Sequence, residues 1–164
     1  MCTLTAKRWV SPPAPQAGFT IVELMVIVGV IAIATVIAVP NYIRWNSTAQ
    51  LKQATTELQG ELNLARLSAM NRNRSVTVTA AILNNRVTAT FIDGSGAQVM
   101  PTHTMLALVT GVTGGPITFS SLGVRVGGGA GNQLITLTNN QALTYSIAVT
   151  PAGKSTWCPR ATCP

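Results

Sequence analysis

The sequence predicts an α+β fold, in which one long N-terminal helix, of membrane-spanning length in its first half, packs on an antiparallel β-sheet head domain. Three observations predict it. From Ile21 to Val39 nineteen residues run with Glu23 as the only charge. At about 1.5 Å rise per residue, a helix of that length spans roughly 28 Å, close to the hydrocarbon core of a bilayer. Beyond Pro40 the apolar residues Leu51, Ala54, Leu58, Leu62, Ala65 and Ala69 keep a spacing of three and four, which makes one stripe on a continuing helix. From Ser75 the period switches to two, the alternation of half-buried strands.

The elements follow in order. The helix should end near Asn71–Asn73, with Gln50, Lys52, Gln53, Glu57 and Glu61 on its outward face. Gly60 inside it costs about 1 kcal/mol against Ala. Val76, Val78, Ala80 and Ile82 alternate up to a turn at Asn84-Asn85, and Val87, Ala89 and Phe91 continue to a hairpin signal at Asp93-Gly94. Further strands are expected at Thr104–Val109, Ile117–Ser120, Leu134–Thr138 and Leu143–Thr150, separated by Gly-rich or Asn-rich breaks.

Composition bounds the class. Only 9% of residues are charged, against roughly 25% in soluble domains; the membrane-length segment accounts for part of this. The rest is rich in Thr, Ser, Asn and Gly, as exported β domains often are. From Asn41 onward nine Lys or Arg face Glu57, Glu61 and Asp93, a formal +6 without dense clusters. That remainder, about 120 residues, is ordinary single-domain size.

Glu23 is the awkward residue. A carboxylate within lipid costs on the order of 3 kcal/mol or more, and the nearest cations, Arg8 and Arg44, lie outside helical reach. A secretory signal peptide would use Lys7, Arg8 and the small-residue site Ala32-Ile33-Ala34, but it leaves Glu23 unexplained. So does a plain anchor. Lys7 and Arg8 favour a cytoplasmic N-terminus, and Arg44 and Lys52 weaken the contrast across the span.

The run Gly18-Phe19-Thr20-Ile21-Val22-Glu23-Leu24 closely resembles the class III leader junction of type IV pilins and type II secretion pseudopilins, and Pro40 falls where pilin helices commonly carry a proline. The resemblance implies cleavage after Gly18 by a prepilin peptidase/methyltransferase and N-methylation of Phe19. It also implies pairing of Glu23 with the terminal amine of a neighbouring subunit. Leu62–Ala69 with Arg72-Asn73 and Val76-Thr77-Val78, Ile117-Thr118-Phe119 with Gly123, and Ile147–Lys154 resemble the FimT/GspH group. The implied fold is pilin-like: residues 1–18 a leader, 19–40 the transmembrane and assembly half of the helix, and 41–164 a periplasmic head, helical to about residue 73.

On this reading Cys2 leaves with the leader, and the exported pair Cys158 and Cys163 suggests a disulfide. A loop so short adds roughly 2 kcal/mol on a chain-entropy argument. Without nearby His or further Cys, the two thiols do not complete a metal site, and no metal or cofactor is expected.

Motifs for chemistry are sparse. Gly153-Lys154-Ser155 lacks the earlier glycine of a phosphate loop, where Ala148 stands, and Trp157-Cys158-Pro159 starts no helix. Gly127-Gly128-Gly129-Ala130-Gly131 sits in no βαβ pattern and is better read as a flexible loop. His103 and Asp93, the only histidine and aspartate, have no nucleophile motif beside them. A strand-edge role for His103 and a turn role for Asp93 are favoured. Some FimT-like minor pilins bind DNA through a C-terminal Gly-Arg-x-Arg motif; here Gly153-Lys154-Ser155-Thr156 stands in its place. Arg125, Lys154 and Arg160 are candidates for phosphate contact, Trp157 for base stacking or for covering the sheet edge, with a solvated basic face favoured.

The expected protein is therefore not an enzyme. It is a single-pass bacterial inner-membrane subunit of the FimT/GspH type, serving a type II secretion pseudopilus or, alternatively, a type IV pilus. Its expected partners are other pilin or pseudopilin subunits, the processing enzyme, an inner-membrane assembly platform and membrane lipid, with DNA as a further candidate.

Overall fold

The computed structural model describes residues 18–105 and 108–163. Cys2, Lys7, Arg8 and the rest of the expected leader up to Ala17 lie outside them. The chain divides into two compact units, one ending at Pro40 and one beginning at Asn41, and a single helix, α1 (Ile21–Arg72), contributes to both. In the first unit every residue from Ile21 to Val39 is exposed. Among the described residues nothing covers that apolar surface.

In the second unit the expected stripe is the buried face of α1: Leu51, Ala54, Leu58, Leu62, Ala65 and Ala69, joined by Ser47 and Thr55. Thr55 satisfies its hydroxyl on the Leu51 carbonyl one turn back, at 2.7 Å. The helix runs through Gly60 and ends in a Schellman cap. Asn73 takes a left-handed φ of 50°, Arg74 N–H donates to Ala69 O and Asn73 N–H to Met70 O, which satisfies the last-turn carbonyls.

Nine strands follow: β1 (Val76–Leu83), β2 (Arg86–Asp93), β3 (Gln98–Thr104), β4 (Val109–Thr113), β5 (Ile117–Phe119), β6 (Arg125–Val126), β7 (Gln133–Asn139), β8 (Thr144–Val149) and β9 (Ser155–Cys158). They form two antiparallel sheets, of order β3-β2-β1-β5-β6 and β4-β7-β8-β9. The β1–β2 turn has Asn84 and Asn85 at φ 51° and 60°, the conformation a two-residue hairpin requires. Asp93 closes the next turn, accepting from Ser95 N–H, the Ser95 hydroxyl and Ala97 N–H. The hydroxyl foremost, these bonds hold its carboxyl below the usual range. The turn role expected of Asp93 is what the geometry shows.

The expected antiparallel sheet architecture is present, divided into two sheets. One expectation needs correcting: of the strand expected at Thr104–Val109, Thr104 closes β3 and Val109 opens β4, in different sheets. Met105 and Val109 are buried; Leu106 and Ala107 lie outside the described residues. β3, β6, β9 and all of β4 beyond Val109 lie outside the expected strands, apart from Thr104 at the end of β3. β3 is an edge strand carrying Pro101 and largely exposed, so it shows no alternation, and an edge tolerates the missing N–H. The core joins the α1 stripe to Phe91 and Phe119, its largest side chains, and to Ile117, Ile135, Leu137 and Ile147. Each such burial stabilises by about 1.5–3 kcal/mol.

Candidate assembly site and basic surface

Gly18, Phe19 and Thr20 precede the first helical residue. A Cβ placed on Gly18 would meet nothing within 4 Å, so no packing among the described residues demands glycine there, and Phe19 is 77% exposed. Thr20 is the N-cap of α1: its Oγ1 accepts from Glu23 N–H at 3.2 Å and its carbonyl from Leu24 N–H at 3.1 Å. Thr-x-x-Glu is the capping-box spacing. The cap uses the Glu23 backbone N–H, while the Glu23 carboxylate is exposed and has no partner among the described residues. The carboxylate thus stands in the first turn, where the helix dipole favours negative charge. The sequence reasoning missed this cap, although the spacing was there to read.

At the other end of the chain the proposed basic candidates separate. Arg125 is only 6% exposed. Its guanidinium donates to the carbonyls of Gly127, Gly129 and Gly131 and to Gln133 Oε1. The phosphate contact considered for Arg125 therefore finds no exposed guanidinium; the charge is consumed in organising the glycine-rich loop. Lys154 and Arg160 are both exposed. Trp157 covers the sheet edge: on the edge strand β9, it stacks on Tyr145 at 5.7 Å between centroids, and Lys52 Nζ lies 5.6 Å from its ring centroid. Cys158 and Cys163 are joined by a disulfide, which ties the C-terminal segment to β9.

Two clusters had been overlooked. Arg66, on α1, donates from Nε to Gly123 O at 2.7 Å and from Nη2 to Ala152 O at 3.2 Å, bridging two turns of the head. His103, at the sheet edge as expected, also faces the helix, with Nδ1 2.9 Å from Glu61 Oε1 and Nε2 3.5 Å from Glu57 Oε1. Glu57 and Glu61 are four residues apart, hence on one helical face, and that spacing was the available signal. Glu61 is not outward: partial burial, foremost, pushes its carboxyl above the usual value, His103 opposes this and Glu57 adds to it.

Comparison with known proteins decides the family. Residues 13–39 match the prokaryotic N-terminal methylation motif, and residues 54–153, more than half of the chain, match the family described as type II transport protein GspH. The chain belongs to the GspH family.

Relatives of this GspH-family chain include a fimbrial protein of Pseudomonas aeruginosa, 31% identical over 86 residues, 49% of this chain and 55% of that protein. Another is the type IV major pilin protein PilA of Myxococcus xanthus strain DK1622, 40% identical over 42 residues, 26% of this chain and 19% of that protein. The chain thus spans about half the length of the first of these relatives or less. Crystal structures of the P. aeruginosa type IV minor pilin FimU share its fold in two space groups. Their TM-scores are 0.50 and 0.54 at 19% identity, covering 70% and 73% of this chain and 97% and 96% of those chains.

Proposed function

We propose that this GspH-family protein is a minor subunit of a type II secretion pseudopilus, and that its work is assembly and not catalysis. It is made as a precursor, cut between Gly18 and Phe19, and N-methylated at Phe19 by a prepilin peptidase/methyltransferase. Ile21–Val39 stores it in the bacterial inner membrane with the head in the periplasm. An inner-membrane assembly platform then passes it into the filament, where Glu23 pairs with the Phe19 amine of a neighbour. The observation that carries this reading is the Glu23 carboxylate: it lies in an apolar helix exposed along its whole first half, and the N-cap leaves it unused. The family description, type II transport, supports secretion.

A second reading, a minor pilin of a type IV pilus, is favoured by a different observation, the fimbrial and pilin relatives and the FimU-like fold. Deletion of the gene separates the two. Loss of protein export with surface pili intact is the result expected of the pseudopilin; loss of pili with export intact supports the second reading and overturns the first. DNA contact is reduced to Lys154 and Arg160, two exposed charges. Binding through these alone would be weak and would fall steeply with salt.

A further inference from the structure

Of the basic residues on the helical part of the head, Lys52 covers Trp157, Arg66 bridges two turns and Arg72 stands in the last turn of α1. Arg44 has no partner among the described residues, and it lines a groove of about 510 Å³ together with Thr48, Gln141 and Leu143. We propose that this groove holds the phosphate headgroup of a membrane phospholipid. The proposal rests on the reading that Ile21–Val39 stores the subunit in a bilayer.

The groove is built from rigid parts. Thr48 donates its hydroxyl to the Arg44 carbonyl at 2.9 Å, on the helix side. On the other side, Asn139 Oδ1 accepts from Gln141 N–H and Leu143 N–H at 3.0 and 2.9 Å, fixing the turn between β7 and β8. Asn139 is itself buried. The chemistry is a guanidinium fork and a side-chain amide beside an apolar Leu143. Arg is the side chain suited to bidentate phosphate recognition, and Leu143 offers the apolar surface that the acyl end of a headgroup needs.

The level in the membrane selects a lipid over a phosphate from bulk water. Arg44 lies five residues past Val39, in the juxtamembrane stretch where basic side chains meet lipid headgroups. Tyr42 and Trp45, both exposed and with ring centroids 6.2 Å apart, stand at the same level. They supply the amphipathic aromatic pair typical of a membrane interface. A basic pocket at headgroup depth is a recurrent form of lipid recognition.

The test uses the full chain in nanodiscs of mixed phosphatidylethanolamine and phosphatidylglycerol, released for native mass spectrometry. The unsubstituted protein should retain phosphatidylglycerol several-fold more often than Arg44→Gln, with Gln141→Ala intermediate and Arg86→Gln, an exposed arginine of the β1–β2 hairpin that does not line the groove, unchanged. Equal retention by Arg44→Gln overturns the proposal, as does an equal loss in Arg86→Gln, which would mean bulk charge. Displacement by inorganic phosphate as efficiently as by a short-chain phosphatidylglycerol would also overturn it, as a site for free phosphate. Carbonate extraction of native membranes reads the underlying storage step separately. A protein that leaves the pellet removes the membrane reading and the groove with it, whereas one that stays while Arg44→Gln keeps its lipid removes the groove alone.

Discussion

Gly153 and Gly123 pack back to back, each in a left-handed conformation with φ of 78° and 74°, and a Cβ on Gly153 would collide with the Gly123 carbonyl that Arg66 also engages. The glycine of Gly153-Lys154-Ser155 is accounted for by the packing of two turns.

Gly153→Ala should therefore destabilise the head by about 2–4 kcal/mol, combining left-handed strain with the collision. Gly96→Ala has a similar φ of 85° but open space around it, and should cost about 1–2 kcal/mol, the strain alone. Denaturant unfolding of the full-length protein in detergent measures both. Equal effects would contradict the back-to-back contact.

How much of this could be read from the chain follows from how strongly burial is patterned. The α1 stripe from Leu51 to Ala69 and the β1–β2 hairpin repeat a period over many residues, so the packing they specify is visible in one dimension. β3 and β9 are edge strands, half solvated, and their side chains carry no alternation for the eye to find. Thr104 and Val109 read as the two ends of one strand but belong to β3 and β4, in different sheets, and only tertiary placement tells this. The same limit applies to charges. Arg125 looked like its basic neighbours in sequence, yet the carbonyls of a glycine loop surround it, while the Glu57–Glu61–His103 cluster needed a strand-to-helix contact across the fold.

The carboxylates set opposite pH limits. For Asp93 the folded value is below the ordinary 3.8, so its contribution is present above that value and is lost as pH falls through the lower folded one. For Glu61 the folded value is above the ordinary 4.5. The native state then holds the proton longer, and stability falls as pH rises from 4.5 through the folded value. Glu61→Gln should gain on the unsubstituted protein as pH rises through that window. His103→Ala should destabilise by about 1–3 kcal/mol at neutral pH, with two carboxylates left facing each other, and by less near pH 4.5. Unfolding midpoints at the two pH values check both, and a pH-independent difference for either variant would contradict the cluster.

Arg125→Gln removes the guanidinium from three loop carbonyls. Amide hydrogen exchange should accelerate across Gly127–Gly131 and leave the β1–β2 hairpin unchanged, with a stability loss of about 1–3 kcal/mol. Unaltered exchange in the loop would show that the glycines hold their conformation without the arginine.

We propose that the Glu23 carboxylate serves assembly and not folding, processing or membrane storage. Glu23→Ala keeps the Thr20 cap, which uses only the residue 23 backbone N–H, so the variant should fold and remain in the membrane. The direct measurement is the fraction of processed Glu23→Ala protein in sheared filaments against the fraction left in the inner membrane. Mature Glu23→Ala protein should accumulate in the membrane and be absent from filaments. Normal incorporation of Glu23→Ala would contradict it.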